Sequence, residues 1–396
     1  MMLLALLTLS AMANPVENPS PTDSSAHQVR ALPPGGEELR GVWVTRWSYD
    51  SQEDVERILT DISRAGFNAV FFQVRGSFDA FYQSSIEPWA ERLTGSLGTD
   101  PGWDPLQTAI KTGHELGLQI HAYINVFPLS SGEHAPQTGV SPEHAYNAHP
   151  DWRVSDQAGR TPIAGSKRAK AMKYVFASPG NPQVRARITA VAADIDNHYD
   201  IDGIHLDYIR YPGRQYSHDP VSLSRRDASA SLGNWQRSQI EETIARVREA
   251  VTVPVTAAVW GVYENRWGWA SVSEGRNDYY QDSRAFLKKG LVDATMPMIY
   301  WPVSSNPGSR LDFHTLASDH LSNASGRHVY LGITAQPSET AEDFYQHVVR
   351  CIEAGRALNA PGFVLFDYVT GKDLLERLGT GPLAEEAVPP TMPWRD

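Results

Sequence analysis

Residues 199–212 read YDIDGIHLDYIRYP, and the alternation inside this stretch governs how the rest of the chain is read. Successive side chains of a strand point to opposite sides, so Ile204 and Leu206 share one face and His205 and Asp207 the other. A His and an Asp on one face, just before a Tyr-Pro turn, suit a solvent-exposed hairpin poorly. They suit the C-terminal mouth of a barrel strand, where catalytic groups collect. The bland alternative is a buried Asp that caps a loop or pairs with Arg210.

Outward from this strand, Leu39 to Gly379 alternates between strand and helix. Strands are expected at 39–46, 69–74, 119–127, 203–209, 253–260, 293–300, 328–334 and 362–368. Helices are expected after Ser51 (a capping box with Asp54), then at 105–116, 182–199, 235–250, 279–289, 311–321, 341–354 and 372–378. The strand cores are nearly continuous apolar runs, as for parallel strands covered by helices. Eight βα units in one chain predict an α/β fold, a (β/α)8 TIM-type barrel forming one domain with loop insertions. A doubly wound open sheet is the competing fold, weakened because no Gly-rich phosphate loop follows the first strand.

The chain has 396 residues, a formal net charge of −11 and 41% hydrophobic residues. That hydrophobic content fills a full core. No long basic run exists, which argues against nucleic acid. The segment Met1 to Ala13, MMLLALLTLSAMA, ends in a small-x-small pattern and reads as a signal peptide cleaved before Asn14, although it lacks a positive start. It is too short to span a bilayer as a helix. Residues 14–38 read as a disordered tether and 380–396 as a flexible tail. The single cysteine, Cys351, falls on an amphipathic helix and reads as core.

Barrel chemistry is decided at the C-terminal strand ends. In order these carry Thr45, Arg46 and Trp47; Gln73, Arg75 and Asp79; Tyr123 and Asn125; His205, Asp207 and Arg210; Trp260 and Glu264; Tyr300 and Trp301; Thr334; and Asp367 and Tyr368. The N-terminal ends (Asn68, Gln119, Pro254) show no such concentration of ionisable groups. Carboxylates, aromatics and amides together suit a polyhydroxylated substrate. The chain has 11 Trp and 16 Tyr, and Trp103, Trp267, Trp269 and Trp301 fall in loops or at strand ends, where aromatic faces can stack on sugars.

No HExxH or His-x-His pair marks a metal site, although His121, His205, Asp207 and Asp367 lie on candidate strands. No GxSxG supports a serine nucleophile. No metal and no cofactor is expected. Carboxylate catalysis remains, with Asp207 first and Glu264, beyond the adjacent fifth strand, as its expected partner; Asp367 and Asp79 are the alternatives. Arg46, Gln73, Tyr123, His205, Arg210, Trp260, Trp269, Tyr300 and Trp301 are the expected substrate contacts.

Seven stretches carry a resemblance: GVWVTRW (41–47), FFQVRGSFDAFYQSSIEPWAERLTG (71–95), HAYINVFP (121–128), SPGNPQVR (178–185), YDIDGIHLDYIRYP (199–212), KKGLVDATMPMIYW (288–301) and FVLFDY (363–368). In number and order they resemble the bacterial glycosyl-hydrolase-like family that includes the denuded-peptidoglycan glycosidase DigH. The resemblance covers about Leu39 to Leu378. It implies a TIM-type barrel, glycan hydrolysis in the cell envelope, Asp207 in the active site, and Arg75, Asp79, Glu87, Asn125, Tyr300 and Asp367 around it. Two departures stand out. Residues 260–276 are richer in Trp than the family pattern. The stretch from Asp202 to Ile209 also resembles the DGxDxDxE strand of chitinase-type enzymes, with His205 in place of the second Asp and Ile209 in place of the acid.

The expected function is therefore a secreted, periplasmic or extracellular glycoside hydrolase. Its expected substrate is an amino-sugar glycan of the cell envelope, above all denuded peptidoglycan strands. A hydrolase of a partly deacetylated exopolysaccharide and a catalytically silent glycan-binding barrel are the competing readings. The expected partner is a polysaccharide, with no nucleic acid and no stable membrane span.

Overall fold

A computed structural model of the chain describes residues 36–226, 229–334 and 340–395. The expected signal peptide and all but the last three residues of the expected tether lie outside these residues. Eight parallel strands form the barrel: β1 Leu39–Val44, β2 Ala69–Arg75, β3 Gln119–Asn125, β4 Gly203–Asp207, β5 Val255–Trp260, β6 Ala294–Met298, β7 Leu331–Thr334 and β8 Gly362–Phe366. They pair in chain order, and β8 closes onto β1 with Phe366 beside Trp43. The expected (β/α)8 barrel is the observed fold, and closure removes the open edges that a doubly wound sheet would leave.

Strand alternation sorts the side chains into two cores. Val42, Val44, Val70, Phe72, Ile204, Leu206, Val255 and Ala257 pack outward with the helices, whereas Trp43, Phe71, Tyr123, Met296 and Val364 fill the barrel interior. His205 belongs to the interior set, its ring 4.9 Å from Phe71 and 5.5 Å from Tyr123. At Gly41, a Cβ would come within 2.8 Å of the Phe71 ring, so glycine leaves that ring its room.

The surrounding helices are α1 Gln52–Arg64, α2 Pro105–Glu115, α3 Pro182–His198, α4 Leu232–Ala250, α5 Ser283–Lys288, α6 Phe313–Leu321, α7 Ala341–Ala357 and α8 Leu375–Thr380. Helix α1 shows why they form where they do. The Ser51 hydroxyl accepts the Asp54 amide at 3.2 Å, and the Asp54 carboxylate accepts the Asp50 amide at 3.1 Å. The spacing of Val55, Ile58, Leu59 and Ile62 puts all four on one buried stripe. Each such side chain contributes about 1.5–3 kcal/mol when fully buried.

Several strands end earlier than their apolar runs suggest. The chain leaves β1 at Val44 and turns, with the Ser48 amide on the Thr45 carbonyl at 2.9 Å. It leaves β4 at Asp207, because Tyr208 adopts a positive φ of 51°. These exits, rather than longer strands, create the mouth. The Tyr279 to Lys289 helix is likewise shorter than expected: a short turn at 275–278 precedes α5, and Tyr279 lies between them.

Two expectations fail at the opposite end of the barrel. Ionisable groups are concentrated there too. Glu38 is buried and accepts Arg40 Nε and Arg356 Nε, each at 2.8 Å. Burial works to raise the Glu38 carboxyl, but Arg356 and Arg40 together hold it below the ordinary carboxylate range. Asp293, just before β6, is sealed from solvent and is met by Arg248 at 2.8 Å, Arg327 at 3.2 Å and Arg395 at 2.8 Å. Residues 380–395 are not a flexible tail: residues 387–388 pair in parallel with 36–37, and Leu383 is buried. Trp394 also donates to Asp293 at 2.9 Å. A buried carboxylate needs partners, and this segment supplies two of them.

Candidate active site

Asp207 is the last residue of β4 and points inward, one layer above His205. Its neighbour across the ladder is Asn125, the last residue of β3. The Tyr123 hydroxyl donates to Asp207 Oδ2 at 2.8 Å, the Tyr208 amide donates to Oδ1 at 2.6 Å, and Arg210 Nη1 stands 3.6 Å from Oδ1. The Asp207 side chain is 13% exposed, and the recorded contacts of its carboxylate are all with donors. Burial, and then the Asp207 charge, push the Tyr123 phenol well above its ordinary value, so it stays a proton donor to that carboxylate.

Tyr300, two residues beyond β6, stacks on Phe366 with ring centroids 5.8 Å apart, and the residue after Phe366 is a second rim carboxylate, Asp367. Burial raises the Tyr300 phenol well above the ordinary value, and the charges of Asp207 and Asp367 add in the same direction. Asp367 Oδ1 caps the short helix Tyr368–Gly371 through Thr370, at 3.1 Å from its amide and 2.7 Å from its hydroxyl. Oδ2 has only a 3.5 Å contact with Thr45, which leaves it the freer oxygen.

Arg210 lies among the aromatic rings of Tyr208, Trp260 and Tyr279, at 4.3, 5.5 and 5.8 Å from their centroids. Gln281 secures this side by donating to the carbonyls of Ile209 at 3.2 Å and Ala258 at 3.3 Å, tying the ends of β4 and β5. On the other side, Gln73 Oε1 accepts the Arg46 amide at 3.0 Å, and Arg46 Nη2 donates to the Tyr174 hydroxyl at 3.3 Å. Asp79 is half-buried, its Oδ1 taking the Ser77 amide at 2.6 Å. Asn125 donates to the Gly76 carbonyl at 3.0 Å, and its Oδ1 is sealed without a partner among the described residues.

Five expected site residues sit elsewhere or are already engaged. Arg75 and Glu87 form a two-pronged pair at 2.7 and 2.8 Å with no exposed side-chain surface. Arg75 also donates to the carbonyls of Asn125 and of Val126, the latter at 3.1 Å. The pair props the end of β3 from beneath and presents nothing to a ligand. His205 is fully buried: its Nε2 accepts the Trp43 indole N–H at 3.0 Å and its Nδ1 bonds the Thr256 hydroxyl at 2.9 Å. Burial and the neighbouring His121 lower it well below the usual histidine range, so it is a neutral core residue. Glu264 is exposed, with Arg276 at 3.5 Å and Asn277 at 3.4 Å; none of the groups that touch Asp207 touches it. An apolar strand continues the barrel only to Trp260, and the next four residues carry Glu264 outward. Trp269 is stacked on Trp267 at 4.4 Å and donates to the Gly308 carbonyl at 3.2 Å, so it is engaged in loop packing.

Trp260 is half-buried, its indole N–H donating to the Ser273 carbonyl at 2.8 Å, and Trp301 packs near Gly261. Tyr174, Tyr279 and Gln281 were not singled out from sequence. Tyr174 arrives on the short antiparallel pair Pro128–Ser131 and Tyr174–Phe176, inside an insertion with no periodic signal. The side chain of Thr334 lies outside the described residues.

The arrangement, two carboxylates at the C-terminal strand ends with aromatics and guanidinium groups about them, has relatives. Residues 38–346 match the family described as Glycosyl hydrolase-like 10. The chain is 26% identical to "Glycosyl hydrolase YngK" of Bacillus subtilis over 399 residues, covering 91% of this chain and 74% of the relative. It is 26% identical over 385 residues to "Glycosyl hydrolase DigH" of Escherichia coli K12, covering 86% of this chain and 84% of the relative. Among solved structures, the PgaB (BpsB) glycoside hydrolase domain of Bordetella bronchiseptica superposes with a TM-score of 0.60 at 13% identity, covering 86% of this chain and 98% of that one. Alpha-L-fucosidase isoenzyme 2 of Paenibacillus thiaminolyticus gives 0.56 at 16% identity, over 88% of this chain and 49% of that one.

Proposed function

The chain belongs to the Glycosyl hydrolase-like 10 family and is a glycoside hydrolase, and from that premise we propose that it acts outside the cytoplasm on denuded peptidoglycan strands. The observation that carries the reading is Asp207. It is an inward carboxylate at the C-terminal rim, held by the Tyr123 hydroxyl at 2.8 Å, with Arg210 at 3.6 Å. Cleavage breaks the bond from the anomeric carbon to the bridging oxygen, gives that oxygen a proton and places a water oxygen on the carbon. A carboxyl group is needed to deliver or remove protons or to attack the carbon. Asp207 is assigned that part. Asp367, at the end of β8 with one oxygen held only by a 3.5 Å contact to Thr45, is assigned the second carboxylate in place of the exposed Glu264.

The amino-sugar substrate is supported by the aromatic rings of Tyr208, Trp260 and Tyr279 around Arg210, which suit stacked pyranose rings. Turnover tests it. Purified denuded strands should be shortened, and intact peptidoglycan and chitin oligosaccharides should be cleaved at a tenth of that rate or less. Equal or faster cleavage of chitin oligosaccharides would overturn the substrate assignment.

A further inference from the structure

Four guanidinium groups stand in or around the mouth, and three are engaged. Arg75 is neutralised by Glu87 at 2.7 Å. Arg92 is paired with Asp50 at 2.7 Å and donates to the Arg46 carbonyl at 2.8 Å. Arg210 faces Asp207 at 3.6 Å. Arg46 differs: it is 6% exposed, and among the described residues no carboxylate lies within salt-bridge distance. Only its Nη2 is bonded, to Tyr174, while Nε and Nη1 have no partner and are not among the sealed polar atoms.

A buried cation without a counter-ion costs several kcal/mol, so its retention calls for a reason. The seat is built for it. A Cβ at Gly76 would come within 2.5 Å of Arg46 Nη1, so the guanidinium lies directly against that backbone. Asp79 is close enough to favour the charge but spends one oxygen on the Ser77 amide. Beside the fork stands Trp47, 49% exposed, with the Arg46 guanidinium carbon 4.8 Å and that of Arg92 5.1 Å from its ring centroid. Nη2 carries two hydrogens and gives one to Tyr174, so its other hydrogen and that of Nε or Nη1 leave one edge of two parallel donors for a carboxylate, beside an exposed indole whose face suits a pyranose ring.

We propose that Arg46 and Trp47 form a subsite for a sugar ring bearing a carboxylate, separated from Asp207 by the adjoining Tyr174 and Tyr208. The proposal rests on the glycan-hydrolase reading of this mouth. Tyr174 and Tyr208 set the spacing: Arg46 Nη2 donates to the Tyr174 hydroxyl at 3.3 Å, the Tyr174 and Tyr208 rings stand 5.4 Å apart, and the Tyr208 amide donates to Asp207 at 2.6 Å. The carboxylate can be the lactyl ether of muramic acid or the C6 carboxyl of a uronic acid, and both present the same two oxygens to the fork.

The full chain carrying Asp207→Asn is titrated by calorimetry with three probes. These are a muramic-acid-containing tetrasaccharide from denuded strands, the same tetrasaccharide with its carboxyls reduced to alcohols, and a glucuronate-containing tetrasaccharide. The acid form of the muramyl probe should bind at least about tenfold more tightly than the reduced form, about 1.4 kcal/mol. Adding Arg46→Gln should bring the two affinities together, and Arg46→Lys should keep part of the preference. Equal affinities with Arg46 present, no binding of either acidic probe, or a preference that survives Arg46→Gln would each overturn the proposal. If Arg46→Gln does not fold, the acid-to-reduced ratio with Arg46 in place decides alone. When the acid form is preferred over the reduced form, tighter binding of the glucuronate probe than of the muramyl probe supports the subsite and assigns the uronic source. Turnover of denuded strands by the unsubstituted chain reports separately on the glycan-hydrolase reading.

Discussion

Glu87→Gln removes one charge from a pair that has no exposed side-chain surface on either partner. It leaves Arg75 cationic, buried and facing a neutral amide, while Arg75 continues to donate to the carbonyls of Asn125 and Val126. Breaking a buried pair from one side costs about 3–5 kcal/mol, most of it the uncompensated charge. Unfolding entropy near 2 cal/mol/K per residue amounts to about 0.8 kcal/mol/K for a chain of this length, so Tm should fall by about 4–6 °C. Calorimetric unfolding of the two proteins, side by side, reads this directly. The double variant Arg75→Met/Glu87→Leu should recover part of the loss and not all of it, since the two carbonyls then lose their donor at about 1–3 kcal/mol each. A Glu87→Gln protein that melts within a degree of the original and loses only glycan affinity would refute the reasoning. It would return both residues to the binding surface that the family resemblance implied.

Other outcomes follow from the same geometry. Removing residues 381–396 takes Trp394 and Arg395 from Asp293 and Leu383 from the core; unfolding by denaturant should show a loss of about 2–4 kcal/mol with kcat per folded molecule unchanged. An unaltered midpoint would make the segment an ornament. Burial lowers His121 to about 4 and His205 well below the ordinary value, whereas unfolded imidazoles protonate near pH 6.5. The unfolded state therefore binds more protons below that pH, so stability is full above about pH 6.5 and falls toward pH 4 by up to about 1.4 kcal/mol per pH unit per histidine. A denaturant midpoint that stays flat from pH 7 to 5 would contradict the neutral assignment. The exported protein should begin at Asn14 by mass spectrometry, and an intact Met1 form confined to the cytosol would contradict export.

Much of this was legible in the sequence because the signals were local. Eight apolar runs of strand length and the stripe of α1 named the barrel. The alternation of Ile204 and Leu206 against His205 and Asp207 assigned faces that the two cores bear out. What was not legible depended on where the chain leaves a strand. Glu264 and Asp367 are both carboxylates beyond strand ends, and spacing treats them alike. Only the turn after β5 sends one into solvent, while β8 ends with the other as an inward cap. Arg75 and Glu87 are 12 positions apart, so nothing in the sequence marks them as each other's partners. The charged plug at the N-terminal end escaped notice because it joins residues such as Asp293 and Arg395, 102 positions apart. His205 shares a face with Asp207, yet one layer of depth separates a core imidazole from a rim carboxylate.

The central claim is that Asp207 carries the cleavage of a glycan bound in the barrel mouth. Asp207→Asn preserves size and one acceptor for the Tyr208 amide, so the fold should survive, but an amide cannot act as acid, base or nucleophile here. Turnover of denuded peptidoglycan strands by this variant should fall about 10²–10⁴-fold while Tm and strand binding stay near the original values. Retention of more than about a tenth of the original rate, below the usual contribution of acid–base catalysis, would contradict the account.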